Sequence, residues 1–286
     1  MVPKIRLFDL PTNAGCLELG TENLPSHFRE NGLIDRLVQR GYEVEDLGRV
    51  EIPVEPRHNQ PPIRNFPLSQ EVWRRSETFL EKPFLAQSLS LILGLGGDCS
   101  MVVGTTSSAA KVFKGNVHLL YLDGDVDSIA PDPEKCMGSA GMGLWFLTQK
   151  STYWDGAQLS PSQITVLGNK KAPDTDLGIP FVSLAELRCS SIHRKVNEVL
   201  ASIPAETSIL VHFDVDLLSA AEMPAAYAPR DEGFNLTEVE EMLSTILMDS
   251  RVRYLEVSEF MPSKDPTGQS IQKLIGLITR SLPNLR

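Results

Sequence analysis

Two short acidic runs, Asp123-Gly124-Asp125-Val126-Asp127 and Asp214-Val215-Asp216, each directly follow an apolar stretch. Side chains alternate along an extended chain, so Asp123, Asp125 and Asp127 share one side, as do Asp214 and Asp216. Carboxylates crowded at strand ends cannot all ionise without a counter-charge, because lost hydration and mutual repulsion put protons back on. Hard divalent cations supply that charge and prefer carboxylate oxygens. One such run would be read as a helix cap or turn; two, each behind an apolar strand, predict one or two bound divalent cations. Two further polar strand ends are Gly96-Gly97-Asp98-Cys99-Ser100 and Glu259, in Val257-Ser258-Glu259-Phe260-Met261-Pro262. Cys99 stands between a metal ligand and a spectator thiol; no histidine adjoins it in sequence to activate it as a nucleophile. His118 and His212 lie inside strands and read as hydrogen-bonded sheet histidines. Trp145, Phe146, Tyr153 and Trp154 read mainly as core.

The elements that must hold these residues alternate. Strands are predicted over 4–10, 44–47, 89–95, 117–122, 163–167, 208–213 and 253–257. Helices are predicted over 24–40, with Phe28, Ile34, Leu37 and Val38 near one face, and over 68–87, 100–113, after Gly141, 184–200, 235–248 and 268–282. Asn235-Leu236-Thr237-Glu238 forms a capping-box pattern, and proline-rich 50–68 reads as a loop. Apolar strands separated by helices imply a mostly parallel α/β sheet buried on both faces, in one domain spanning 1–286. Ligands bind such sheets outside the carboxyl ends of the strands, where the acidic runs fall.

The formal net charge is −10, which argues against nucleic acid and anionic membrane as partners. No apolar run is long enough to span a bilayer, and the first residues lack a secretory pattern. Four scattered cysteines without a C-x-x-C pair read as free thiols, and a cytoplasmic location is expected.

The motifs together resemble the arginase–agmatinase (ureohydrolase) family. Leu10 to Gly15 with Glu18-Leu19-Gly20 looks like its first loop, His27 to Val38 like its first helix and Asp46-Leu47-Gly48 like the next strand end. Gly96 to Ser100 is similar to the family's GGDHS, Asp123 to Asp127 to DAHxD, Phe213-Asp214-Val215-Asp216 to FDxD, and Glu259 to Pro262 to E-x-x-P. The resemblance implies a three-layer α/β/α fold, homo-oligomers, and a two-manganese site that activates hydroxide to attack a guanidinium or amidine carbon. Carried over, one ion would take Cys99, Asp123, Asp127 and Asp214. The other would take Asp123, Asp125, Asp214 and Asp216, while Glu259 would hold a small cationic substrate by charge-assisted hydrogen bonds.

Departures from the family pattern are as informative. Both ligand histidines are replaced, by Cys99 and Asp125. The proton-shuttling histidine falls at Ala140, before Gly141. An asparagine that reads the amino-acid end of arginine falls at Ile129, and a second reading segment appears as the basic Gly168-Asn169-Lys170-Lys171-Ala172-Pro173. A more negative ligand set raises the pKa of metal-bound water and hardens the second site towards Mn²⁺ or Mg²⁺. The expectation is a divergent binuclear hydrolase of a C–N bond in a guanidine or amidine compound other than free arginine, with Glu259 and Asp125 carrying chemistry. A Mg²⁺- or Mn²⁺-dependent lyase or cyclase, and a catalytically silent binding protein, stand as alternatives.

Overall fold

The computed structural model describes residues 4–86, 90–169, 173–189 and 191–283. Eight parallel strands form one sheet in the order β2-β1-β3-β8-β7-β4-β5-β6. The strands are β1 Lys4–Asp9, β2 Glu43–Arg49, β3 Leu91–Leu95, β4 Val117–Leu122, β5 Ile164–Leu167, β6 Phe181–Val182, β7 Ser208–Asp214 and β8 Val252–Ser258. Parallel pairing needs a crossover between strands, and helices supply it on both faces. One core joins the sheet to α1 Leu24–Glu30, α2 Leu33–Gln39, α6 Leu184–Cys189, α7 Ile192–Ser202, α8 Leu236–Leu247 and α9 Gln269–Ser281. The other joins it to α3 Leu68–Leu85, α4 Met101–Val112 and α5 Gly143–Thr148. The three layers are those expected. Among the described residues, no helix is long and apolar enough to cross a membrane.

Two long predicted helices are each broken. The span 24–40 divides at Gly32, whose φ of 85° lies in the left-handed region, and α2 restarts with a new phase that buries Leu33 and Leu37. Val38, expected inward, is 55% exposed as a result. The span 184–200 divides before Ser191, whose side chain accepts from Arg194 N and caps α7. The capping box at Asn235 and Glu238 forms as expected. The two-residue edge strand β6 is too short to leave a pattern, and Leu89 and Gln87 lie outside the described residues.

His118 behaves as a sheet histidine. It is buried on β4 with Nε2 3.0 Å from Thr165 Oγ1, and burial, reinforced by the Arg251 charge, lowers its pKa from 6.5 to about 4. The unfolded chain therefore takes up this proton first, so the stability it carries is full above pH 6.5 and is lost as pH falls towards 4. Urea midpoints should show His118→Gln less acid-sensitive than the parent by about 2 kcal/mol between about pH 7 and pH 5. Equal acid sensitivity in the two would show that His118 is not held neutral.

Candidate metal centre

The acidic residues come together because four central strands end side by side, in the order β3, β8, β7, β4. A turn after β3 brings Cys99, the end of β8 brings Glu259, β7 brings Asp214 and Asp216, and β4 brings Asp123, Asp125 and Asp127. All seven line one cavity of about 140 Å³, closed by Ala140, Gly141, Tyr227 and Ala228.

Local structure fixes each group. Gly97 lets the turn pass against the 11–15 loop, since a Cβ there would meet Thr12 O at 1.6 Å. Asp98 is wholly buried and anchors the turn: one carboxylate oxygen accepts from Gly15 N at 3.0 Å, the other from Ser100 N and Oγ. Asp98 thus ties loop to turn rather than capping α4, whose N-cap is Ser100. Cys99 N in turn donates to Glu259 Oε1 at 2.9 Å. Asp123 Oδ1 accepts from Asp125 N at 2.7 Å, Asp214 Oδ1 from Asp216 N at 2.7 Å and Asp216 Oδ1 from Gly124 N at 3.1 Å. Asp127 Oδ2 accepts from Tyr121 OH at 2.5 Å. Asp127 and Glu259 both sit in the left-handed region, at φ 47° and 64°. That strain costs about 1–3 kcal/mol each and persists where a site over-determines the backbone.

The charges are out of balance. Burial first, then neighbouring carboxylates, push Asp123, Asp214 and Glu259 well above the usual carboxylate range. Burial likewise raises Asp127 to about 7. The Cys99 thiol is pushed up by burial and by Asp214, whose Oδ2 it faces at 2.9 Å. Asp123 Oδ2 is buried without a hydrogen-bond partner. Asp123, Asp214 and Asp216 each offer an oxygen within 4.8 Å of the others. This donor set fits divalent cations.

Asp125 lines the same cavity, but its Oδ2 is ion-paired to Arg230 Nη2. Sequence reasoning missed Arg230. It also missed Tyr227, whose hydroxyl accepts from Leu17 N and Glu18 N and whose N–H donates to Glu259 O. Both sit on the irregular stretch after β7, where no motif marks them. His212 was assigned only to the sheet, yet its Nε2 lies 3.2 Å from Cys99 Sγ. The signal was available: His212 is two residues before Asp214 on one strand, so both face the same side. Ala140 and Gly141 line the cavity at the place of the absent histidine, while Ile129 packs with core residues and its N–H donates to Gly141 O. Lys170 and Lys171 lie outside the described residues. Phe146 and Trp154 pack in the core, with Trp73 and Phe146 centroids 4.8 Å apart, Trp145 and Tyr153 lie half-buried against it, and none of the four lines the cavity.

A model of the arginase family matches residues 4–282. The arginase of Bacillus subtilis (strain 168) is 24% identical over 289 residues, covering 95% of this chain and 96% of that one. The structure of Entamoeba histolytica arginase in complex with L-ornithine superposes with a TM-score of 0.86 at 17% identity, covering 97% of this chain and 98% of that one. The structure of Trypanosoma cruzi formiminoglutamase with Mn²⁺ superposes with a TM-score of 0.77 at 14% identity, covering 98% and 92%.

Proposed function

Because this chain belongs to the arginase family, we propose that it is a metal-dependent hydrolase that cleaves a C–N bond in a guanidine or amidine compound other than free arginine. The observation that carries the reading is the single cavity in which six carboxylates and one thiol converge, one of the carboxylates being Glu259. Relatives that share the fold were solved with ornithine and with Mn²⁺, which favours a small cationic ligand and divalent ions here too.

Asp123 and Asp214 would touch both ions, with Asp127 and Cys99 completing one position and Asp125 and Asp216 the other. Ions bound there supply Lewis acidity and water activated for attack on the amidine carbon. Asp125 serves the second position only if that ion out-competes the Arg230 guanidinium. Glu259, held by Cys99 N at 2.9 Å, orients the substrate cation through charge-assisted hydrogen bonds. Tyr227 lines the cavity beside it, and its hydroxyl is held by Leu17 N and Glu18 N of the first loop.

The cavity carries no imidazole at Ala140 to move protons, and no polar side chain at Ile129 to read an amino-acid end. With Mn²⁺ supplied, the protein should release little or no urea from L-arginine while hydrolysing another amidine or guanidine in a substrate screen. Urea release at about 10 s⁻¹ or more would overturn the exclusion of arginine. A purified chain that retains no divalent ion after mild purification would favour a binding role instead.

A further inference from the structure

Beneath the cavity, three neighbouring strands carry a polar row through an otherwise apolar sheet. Register sets His212 on β7 opposite Glu256 on β8 and opposite Tyr121 on β4. Glu256 Oε1 lies 2.6 Å from His212 Nδ1, and Glu256 Oε2 accepts from Tyr254 OH at 2.6 Å and Thr105 Oγ1 at 2.9 Å. The imidazole stacks on Tyr121 with centroids 4.5 Å and planes 5° apart. A carboxylate anchored in this way accepts the N–H of Nδ1 and leaves the lone pair on Nε2. That nitrogen faces Cys99 Sγ at 3.2 Å. Cys99, Asp123 and His212 are all buried and offer one ligand atom each within 4.8 Å of one another. One oxygen of Asp123, Oδ2, is buried without a hydrogen-bond partner.

We propose that Cys99, His212 and Asp123 form a thiolate–imidazole–carboxylate site for Zn²⁺, beside the all-carboxylate group Asp123, Asp214 and Asp216, which takes a harder ion such as Mn²⁺. The proposal rests on the metal-dependent reading above and adds to it a ligand and two unlike positions. Sulfur and imidazole favour zinc, whereas carboxylate oxygens favour manganese and magnesium. With His212 in place of Asp127 and Asp214 at this position, three protein ligands leave zinc an open position, as hydrolytic sites require. A ligating histidine almost always hands its second N–H to a carboxylate or carbonyl, and Glu256 meets that need. His118 provides the contrast: it is buried in the same sheet but meets a threonine hydroxyl and no thiol. The imidazole missing at position 99 is thus returned from β7, across β8 in the sheet, and Glu256 on β8 acts as its positioning residue.

The test uses the full chain, stripped with chelator and titrated with Co²⁺ alone, Zn²⁺ alone or Mn²⁺ alone. Co²⁺ should give thiolate-to-metal charge-transfer absorption in the near ultraviolet, and Cys99→Ser should abolish it. His212→Gln should weaken Co²⁺ and Zn²⁺ binding by more than about 100-fold, whereas Glu256→Gln should keep the absorption and weaken binding by about 10–100-fold. Mn²⁺ binding, read from the loss of its free-ion electron paramagnetic resonance signal, should survive in both. Should the His212 variant fail to fold, competition on the parent protein decides: excess Mn²⁺ should displace one ion and leave one Zn²⁺ per chain. Co²⁺ binding without charge-transfer absorption, or Zn²⁺ displaced equally from both positions, overturns this proposal and leaves the metal-dependent function standing. Failure to bind any of the three ions overturns both.

Discussion

Asp123→Asn should abolish metal binding and hydrolysis together, and should make the metal-free protein more stable than its parent. Asp123 is the carboxylate shared between the two donor groups, and it is held buried with one unpartnered oxygen. A buried polar atom left unsatisfied costs about 1–3 kcal/mol, and a buried charge among like charges costs more. An amide removes the charge, so the metal-free melting temperature should rise while affinity for divalent ions falls by orders of magnitude. Asp214→Asn should lose metal in the same way, since Asp214 sits in the carboxylate group and faces Cys99. Asp98→Asn should do the reverse. Both oxygens of Asp98 accept hydrogen bonds from Gly15 and Ser100, and an amide nitrogen cannot accept. Asp98→Asn should therefore lose about 1–3 kcal/mol of stability but keep its metal. Calorimetric titration with Mn²⁺ alongside thermal melts separates the cases. Equal metal loss in all three variants would show that the ligands are wrongly assigned.

Removing the ions should make stability depend on pH with a sign opposite to that of His118. Asp123, Asp214 and Glu259 are raised well above their ordinary values by burial, and Asp127 is raised to about 7. The folded state then holds protons that the unfolded chain has already released, so folding stability falls as pH rises through the folded values. Asp127 alone, moved from 3.8 to about 7, accounts for a loss on the order of a few kcal/mol once it ionises. Chelator-treated protein should melt several degrees lower at about pH 8.5 than at about pH 6.5; His118 is neutral in the folded state throughout, and loss of its remaining proton from the unfolded chain works in the opposite, weaker sense. Divalent ions neutralise the same carboxylates, so Mn²⁺ should flatten this dependence and raise the melting temperature most at the higher pH. A chelated protein whose melting temperature is flat or rising across that window would contradict the burial of these groups together.

Sequence reading went furthest where one physical rule dominated. The apolar strands ending in Asp123 and Asp214 could be placed because burial on both faces leaves little freedom, and the acidic runs could only lie at their carboxyl ends. The helix breaks at Gly32 and before Ser191 were harder, because hydrophobic periodicity continues across them while a single backbone angle or cap decides the matter. The ion pair of Arg230 with Asp125 joins residues 105 positions apart in sequence through an irregular stretch, where local pattern carries no information. The row of Glu256, His212 and Tyr121 depends on strand order. Each residue reads alone as an oddity inside an apolar strand, and only the placement of β8 beside β7 and β7 beside β4 makes them neighbours.

That strand order also governs when the site can exist. β8 is the last strand in sequence but lies in the middle of the sheet, with β1, β2 and β3 on one side and β4 to β7 on the other. The earlier strands can at best make two separate half-sheets, each with a raw edge of unpaired backbone groups. Cys99 then belongs to one half and the aspartates to the other. Only when Val252–Ser258 inserts between Leu91–Leu95 and Ser208–Asp214 do the halves close and the cavity gain Glu259. Contacts this distant in sequence form slowly. A ribosome-bound chain lacking β8 would therefore hold its aspartates apart from Cys99 and Glu259 and leave two sticky edges exposed, so completion of the site becomes an event that waits for β8.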